Sequence, residues 1–235
     1  MRYCTSLIVA AFLLISGTAW AQSSVLLRED FKDLRNWEPL YFPKIAKHTE
    51  YTVVTEGKRT MLKTRSSASA SALVYRQTFN PYDFPRLRWR WKVENIYKSA
   101  DGRTKAGDDY PLRIYVIFQY DPEKADLSEK LLYGTLKAVY GKYPPQSTLN
   151  YVWASSTTAD TVITSPYTDR AKLIARERGP DKIGQWVDEA AHIIEDYRKA
   201  FGRPPPDKAS LAIMNDSDNT GEAAVSYLEY IEVAN

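Results

Sequence analysis

Arg86-Leu87-Arg88-Trp89-Arg90-Trp91-Lys92-Val93 alternates charged and apolar residues without a break. A period of two puts Leu87, Trp89, Trp91 and Val93 on one face of a β-strand and Arg86, Arg88, Arg90 and Lys92 on the other. The apolar face demands a core. The cations recur about every 7 Å, twice the rise per residue of a strand. Two readings fit them: a solvated outer face over a Trp-rich core, or the wall of a groove for an anionic ligand such as an acidic polysaccharide, contacted by Arg88 and Arg90.

Outward from this strand, extended segments come at short intervals. Val25 to Phe31 reads as a first strand, followed by a turn with a buried aromatic up to Trp37. Tyr51 to Thr55 and Met61 to Thr64 flank a Glu56-Gly57-Lys58 turn, and Ala72 to Phe79 resumes after a Ser/Ala-rich stretch. Leu112 to Tyr120, Leu149 to Ala154, Thr161 to Thr164, Ala171 to Ala175, Ala209 to Met214 and Ala223 to Val233 continue the pattern. Strands at this spacing, with one or two α-helices inserted among them, predict a mostly β fold, a sandwich or barrel.

The helices are marked by a change of period. Asp126 is an N-cap with Glu129 three residues on, and Leu127, Leu131, Leu132, Leu136 and Val139 recur at helical spacing before Gly141 and Pro144-Pro145. This predicts an amphipathic helix inserted between strands, a lid or packing element on the sandwich rather than a membrane helix. A second helix is expected over at least Ile193 to Phe201, ended by Gly202 and Pro204 to Pro206. Residues 185–191 fit either a strand or the start of that helix.

The densest chemistry is Asn215-Asp216-Ser217-Asp218-Asn219-Thr220-Gly221, a polar loop between the last two strands. Asp216, Asp218 and Thr220 place oxygen ligands as a calcium loop does, yet Tyr227 stands where an EF-hand needs its closing glutamate. The loop is therefore either a turn satisfied by its own Asx side chains or a metal or ligand site involving Asp216, Asp218, Asn219 and Thr220. Arg113 interrupts an apolar strand and needs either an acidic partner or a solvent-facing side, alternating outward with Tyr115 and Ile117. As partners, Asp108 and Asp109 are nearest in sequence, and the 216–219 loop nearest in chemistry. Asp108, Asp109, Arg113, Asp216, Asp218 and Asn219 are thus the candidate ligand-binding set, beside Arg88 and Arg90.

The chain opens Met1-Arg2, runs through apolar Leu7 to Ile15 and reaches Ala19-Trp20-Ala21, the pattern of a secretory signal peptide over residues 1–21. This predicts a periplasmic or secreted product, one β-sandwich domain over 22–235, and no transmembrane segment in the mature form. The only cysteine, Cys4, lies inside the signal, so the mature chain has no disulfide and no thiol chemistry. Two histidines, His48 and His192, exclude a His-rich zinc site. The net charge of +3, about +2 without Arg2, is too balanced for a nucleic-acid partner.

Trp89-Arg90-Trp91, Gly107-Asp108-Asp109-Tyr110 followed by Arg113, Tyr151-x-Trp153, Trp186, Asp196-Tyr197 with Phe201-Gly202, and Met214 to Gly221 occur in this order. In that combination the chain resembles a bacterial exported family, domain-of-unknown-function family three thousand and forty-seven. The resemblance implies an antiparallel jelly-roll sandwich similar to lectin and glucanase domains, with no established activity. Asn215 departs from it, standing where a small hydroxyl residue is expected. Three functions follow as expectations: a module binding polysaccharide or another envelope glycan, a glycan-degrading enzyme, and a structural envelope protein. Exposure of Trp89, Trp91 or Trp153 would provide the first with a sugar platform. A glucanase-like Glu-x-Asp-x-x-Glu strand is missing, and the structural reading requires that Asp109, Arg113 and the 216–219 loop do not converge on a cleft.

Overall fold

The computed structural model describes residues 24–140 and 143–235. The signal-peptide segment and Gly141 lie outside them. Among the described residues thirteen strands form two sheets. In chain order they are β1 (Val25–Glu29), β2 (Trp37–Leu40), β3 (Glu50–Glu56), β4 (Arg59–Ser67), β5 (Ala70–Tyr75), β6 (Arg86–Val93) and β7 (Arg113–Phe118). After helix α1 (Leu127–Tyr140) come β8 (Ser147–Ala154), β9 (Val162–Thr164), β10 (Ala171–Arg178) and β11 (Val187–His192). Helix α2 (Ile193–Phe201), β12 (Ala209–Asp216) and β13 (Ala223–Ala234) complete the chain.

Sheet A runs β11-β6-β13-β4-β3, with β1 also paired to β13, and sheet B runs β2-β5-β12-β7-β8-β10-β9. All pairings are antiparallel except β8 with β10. The β6 alternation is realised in full: Leu87, Trp89, Trp91 and Val93 are wholly buried. Trp89 packs on Tyr151 at 5.2 Å and Trp91 on Trp153 at 5.8 Å, so the tryptophans join sheet A to sheet B across one shared core. Burying aromatics of this size is the main driving force for the sandwich.

Several boundaries differ from expectation. Trp37 is buried as foreseen but opens the edge strand β2, and β5 starts at Ala70 and stops at Tyr75, leaving Phe79 as a single bridge to Ala209. The ambiguous stretch divides cleanly: Val187–His192 is strand, and His192, extended at φ −108°, caps α2 by accepting from the Glu195 amide at 3.4 Å. Gly202 then takes the left-handed conformation at φ 69° that closes the helix. In α1, Asp126 caps the Glu129 amide at 2.8 Å as its spacing predicts. The leucine stripe, however, is not packed on the sandwich: Leu127 and Leu131 are 85% and 75% exposed. Tyr133, on another face, is the buried contact, stacked on Tyr120 at 3.8 Å. Helical periodicity identifies an apolar face; which neighbour that face meets is decided by the loops that hang the helix on the sheet.

Candidate functional site: an acidic loop cluster closed on a buried arginine

Arg113 begins β7 opposite Met214 of β12, so Asp216, two residues further along β12, lies diagonally across on the same face. There the guanidinium is 5% exposed and forks onto one carboxylate: Nε donates to Asp216 Oδ1 at 2.7 Å and Nη2 to Asp216 Oδ2. The same Nη2 donates to the Asp108 carbonyl at 2.6 Å, and Nη1 reaches Asp108 Oδ1 at 3.4 Å. The Tyr110 ring covers the cation at 4.6 Å. Burial works against the charge, yet the surrounding phenol and carboxylate groups hold the arginine's pKa above its ordinary value. Such a forked, desolvated pair is strong once made and costly to break.

Asp109 performs a separate task. Its carboxylate accepts from the Thr220 amide at 2.6 Å and the Asn219 amide at 3.4 Å, so the 216–221 turn is capped by the neighbouring loop and not by its own Asx side chains. Gly221, at φ 72°, donates back to the Ser217 carbonyl at 2.9 Å. The Thr220 hydroxyl accepts from the Glu222 amide at 3.4 Å, and the Asn219 amide group donates to the Tyr167 hydroxyl at 3.0 Å. Asp218 is half-buried; burial first, and then the charge of Asp109, push its carboxyl above the usual range. Asp108 is raised for the same two reasons, with Arg113 opposing.

Oxygens of Asp109, Asp216 and Asp218 all lie within 4.8 Å of one another. Oxygens that close can all reach one calcium ion, each at about 2.4 Å. The donor set is therefore compatible with a hard cation, although Asp216 and Asp109 already accept hydrogen bonds within the fold. Asp108, Asp109, Arg113, Asp216, Asp218 and Asn219 do come together. Arg88 and Arg90 do not join them: they lie on the outer face of sheet A, with Arg88 at 3.2 Å from Glu232 and Arg90 at 3.5 Å from Glu229 and 3.6 Å from Asp188.

Beside the cluster is a cleft of about 130 Å³ between the 100–103 turn and the 155–160 loop, with Asp109 and Tyr110 in its wall. Tyr110 is 2% exposed, and its hydroxyl has no hydrogen-bond partner among the described residues. That hydroxyl lies where a Cβ on Gly102 would come within 1.9 Å, so glycine is required there for the tyrosine to reach the wall. Asp101, Asp160, Ser155, Ser156 and Thr158 complete the polar lining, with Arg103 as its one cation. Arg103 is tied to Asp101 at 2.9 Å.

Sequence reasoning missed Tyr97, Asn215 and Glu222. Asn215 is fully buried, donating to Thr64 at 3.0 Å and accepting from the Tyr97 hydroxyl at 3.1 Å. The Glu222 carboxylate accepts from the Lys98 and Ser99 amides at 3.0 and 2.9 Å, fastening the long loop to the start of β13. The departure at Asn215 from the family pattern was the one available signal, and it marks a tie between the sheets.

Fold and site together define a two-sheet β-sandwich whose loop end carries an acid-rich cluster around one buried arginine. The chain belongs to the DUF3047 family, proteins of unknown function, whose model matches residues 35–232. No functionally curated protein matches it in sequence. Among solved structures it is similar to the family 11 carbohydrate-binding module of Clostridium thermocellum, solved with a mixed-linked β-1,3-1,4 tetrasaccharide (9% identity, TM-score 0.42, 91% of this chain and 96% of that one). It is also similar to Trichoderma harzianum endoglucanase 3 of family GH12 (7% identity, TM-score 0.41, 86% and 99%). A third likeness is the winged bean acidic lectin with methyl-α-D-galactose (9% identity, TM-score 0.37, 86% and 93%). At these identities and scores they say nothing of what this chain binds.

Proposed function

We propose that the protein is an exported sugar-binding β-sandwich whose ligand enters the cleft beside the 216–221 loop. The observation behind this reading is a small cleft whose lining combines Asp101 and Asp160 with the three hydroxyl side chains Ser155, Ser156 and Thr158. Carboxylates and hydroxyls together supply the acceptors and donors that sugar hydroxyls need. The cleft is smaller than drug-sized pockets of about 300 Å³ and upward, which suits a single sugar unit. Asp101, Asp109 and Asp160 against Arg103 leave the lining net negative, favouring a neutral or amine-bearing sugar over an acidic one.

The tryptophans give no platform for this ligand, since Trp89, Trp91 and Trp153 are all fully buried. Periplasmic or secreted location rests on the signal pattern of residues 1–21. None of the helices among the described residues is long and apolar enough to cross a membrane. We include in the proposal a calcium ion held by Asp109, Asp216 and Asp218, which would offset the surplus of carboxylates over Arg113.

Calorimetric titration of the mature protein with neutral, amino and acidic monosaccharides tests the reading. Asp160→Asn and Ser156→Ala should each weaken the best ligand about tenfold while leaving the melt nearly unchanged. Binding that is unaffected by both substitutions places the ligand elsewhere; no binding to any sugar removes the proposal.

A further inference from the structure

We propose that the outer face of sheet A holds a second, separate site, a row of aromatic and cationic side chains for an extended acidic glycan. In the strand register Lys92 of β6 stands opposite Tyr227 of β13, Tyr227 opposite Lys63 of β4, and Lys63 opposite Thr52 of β3. Val187 pairs with Trp91, so Trp186, one residue earlier, continues the row beyond Lys92. Neighbouring strands are about 4.8 Å apart, so the row spans roughly 19 Å across the strands.

Contacts confirm the alignment. The Lys92 ammonium lies 5.4 Å from the centre of the Trp186 ring and 4.5 Å from that of Tyr227, and the Lys63 ammonium lies 6.0 Å from Tyr227 on its other side. Trp186, Tyr227 and Lys63 are half-buried, and Thr52 is exposed. Lys92 is pinned: its side chain is 15% exposed and its ammonium is 2.7 Å from Glu94. Lys63, in contrast, has no ion pair among the described residues.

This row differs from its neighbour on the same face. Arg88 and Arg90, the cations of the β6 alternation that first suggested a groove, are matched by Glu232, Glu229 and Asp188. The Trp186 row keeps a surplus cation, Lys63, beside the Tyr227 ring. Ring faces take the C–H faces of sugars, and ammonium groups take uronate carboxylates, so charge complementarity selects an acidic glycan lying across the strands.

The test uses the mature protein titrated with polygalacturonate and, as the neutral control, dextran. Polygalacturonate should bind, more tightly at low ionic strength, and dextran should not. Trp186→Ala and Lys63→Gln should each weaken binding about tenfold, Trp186→Phe should restore most of it, and Arg35→Gln, an exposed arginine elsewhere, should leave it unchanged. No binding by the wild type, an equal loss in Arg35→Gln, or full binding by Trp186→Ala and Lys63→Gln would overturn the proposal. Ser156→Ala separates the sites: it should leave polygalacturonate binding intact whatever becomes of the cleft reading.

Discussion

At the residue scale the site is an exercise in uneven charge. Arg113 stands among Asp108, Asp109, Asp216 and Asp218, so removing it would strand buried carboxylates. Arg113→Met should cost about 3–5 kcal/mol in urea unfolding, whereas Arg113→Met combined with Asp216→Leu should recover much of that loss, because the unpaired charge is then gone. Asp218 is the complementary case. Its carboxyl pKa is raised in the folded protein by burial and by Asp109. A raised carboxyl pKa contributes stability while the group is protonated, and that contribution is lost as pH rises through the folded value. In chelator at neutral pH, Asp218→Asn should therefore melt higher, by on the order of 1–2 °C. The gain should vanish in acid, where the wild-type group is protonated. Added calcium should reverse the order, raising the wild type by about 2.7 kcal/mol at a hundredfold excess over Kd and the variant by far less. Melting scans in chelator and in calcium read both effects; identical wild-type melts in the two would remove the ion.

At the element scale, the readable parts were those whose pattern is local. The β6 alternation, the Asp126 cap and the Gly202 stop each state their structure within a few residues, and each is found in place. What could not be read was which surface meets which. The α1 leucines have the spacing of a packed face but point to solvent, and the charged face of β6 is balanced by Asp188, Glu229 and Glu232, which lie far away in sequence. The Arg113 partnership was legible because an arginine in an apolar strand has few possible partners. The task of Asp109 was not, since no pattern reveals that it caps a turn more than a hundred residues away. Leu127→Gln and Leu131→Gln should accordingly change stability by less than about 0.5 kcal/mol, while Tyr133→Ala should cost several times as much. Chemical unfolding of the three variants checks the asymmetry; a large loss from either glutamine would mean that the stripe is covered in solution.

At the scale of the whole molecule, the two sheets are joined by the tryptophan core and by polar ties, Tyr51 to Ser71, Arg176 to Glu189 and a buried tie at Asn215. Asn215 sits on β12 of sheet B and bonds Thr64 on β4 of sheet A, while its backbone carbonyl accepts from the Thr49 hydroxyl at 2.6 Å and its side-chain oxygen from Tyr97. Asp216, the next residue, holds Arg113, so the Asn215 tie and the site share a single stretch of backbone. Loss of the amide should therefore be felt in two places. Asn215→Ala leaves the Thr64 and Tyr97 hydroxyls each short of a buried partner, at a cost of roughly 1–3 kcal/mol. If the tie also positions Asp216, the variant should lose ligand affinity in the cleft and calcium response together. Asn215→Ser, which restores the small hydroxyl expected from the family pattern, should recover part of both. Unfolding followed by tryptophan fluorescence and by far-ultraviolet circular dichroism should stay coincident in all three proteins, because the core tryptophans still bind the sheets into one cooperative unit. Separated transitions in Asn215→Ala would show instead that the Asn215 tie, and not the aromatic core, makes the sandwich fold as a whole.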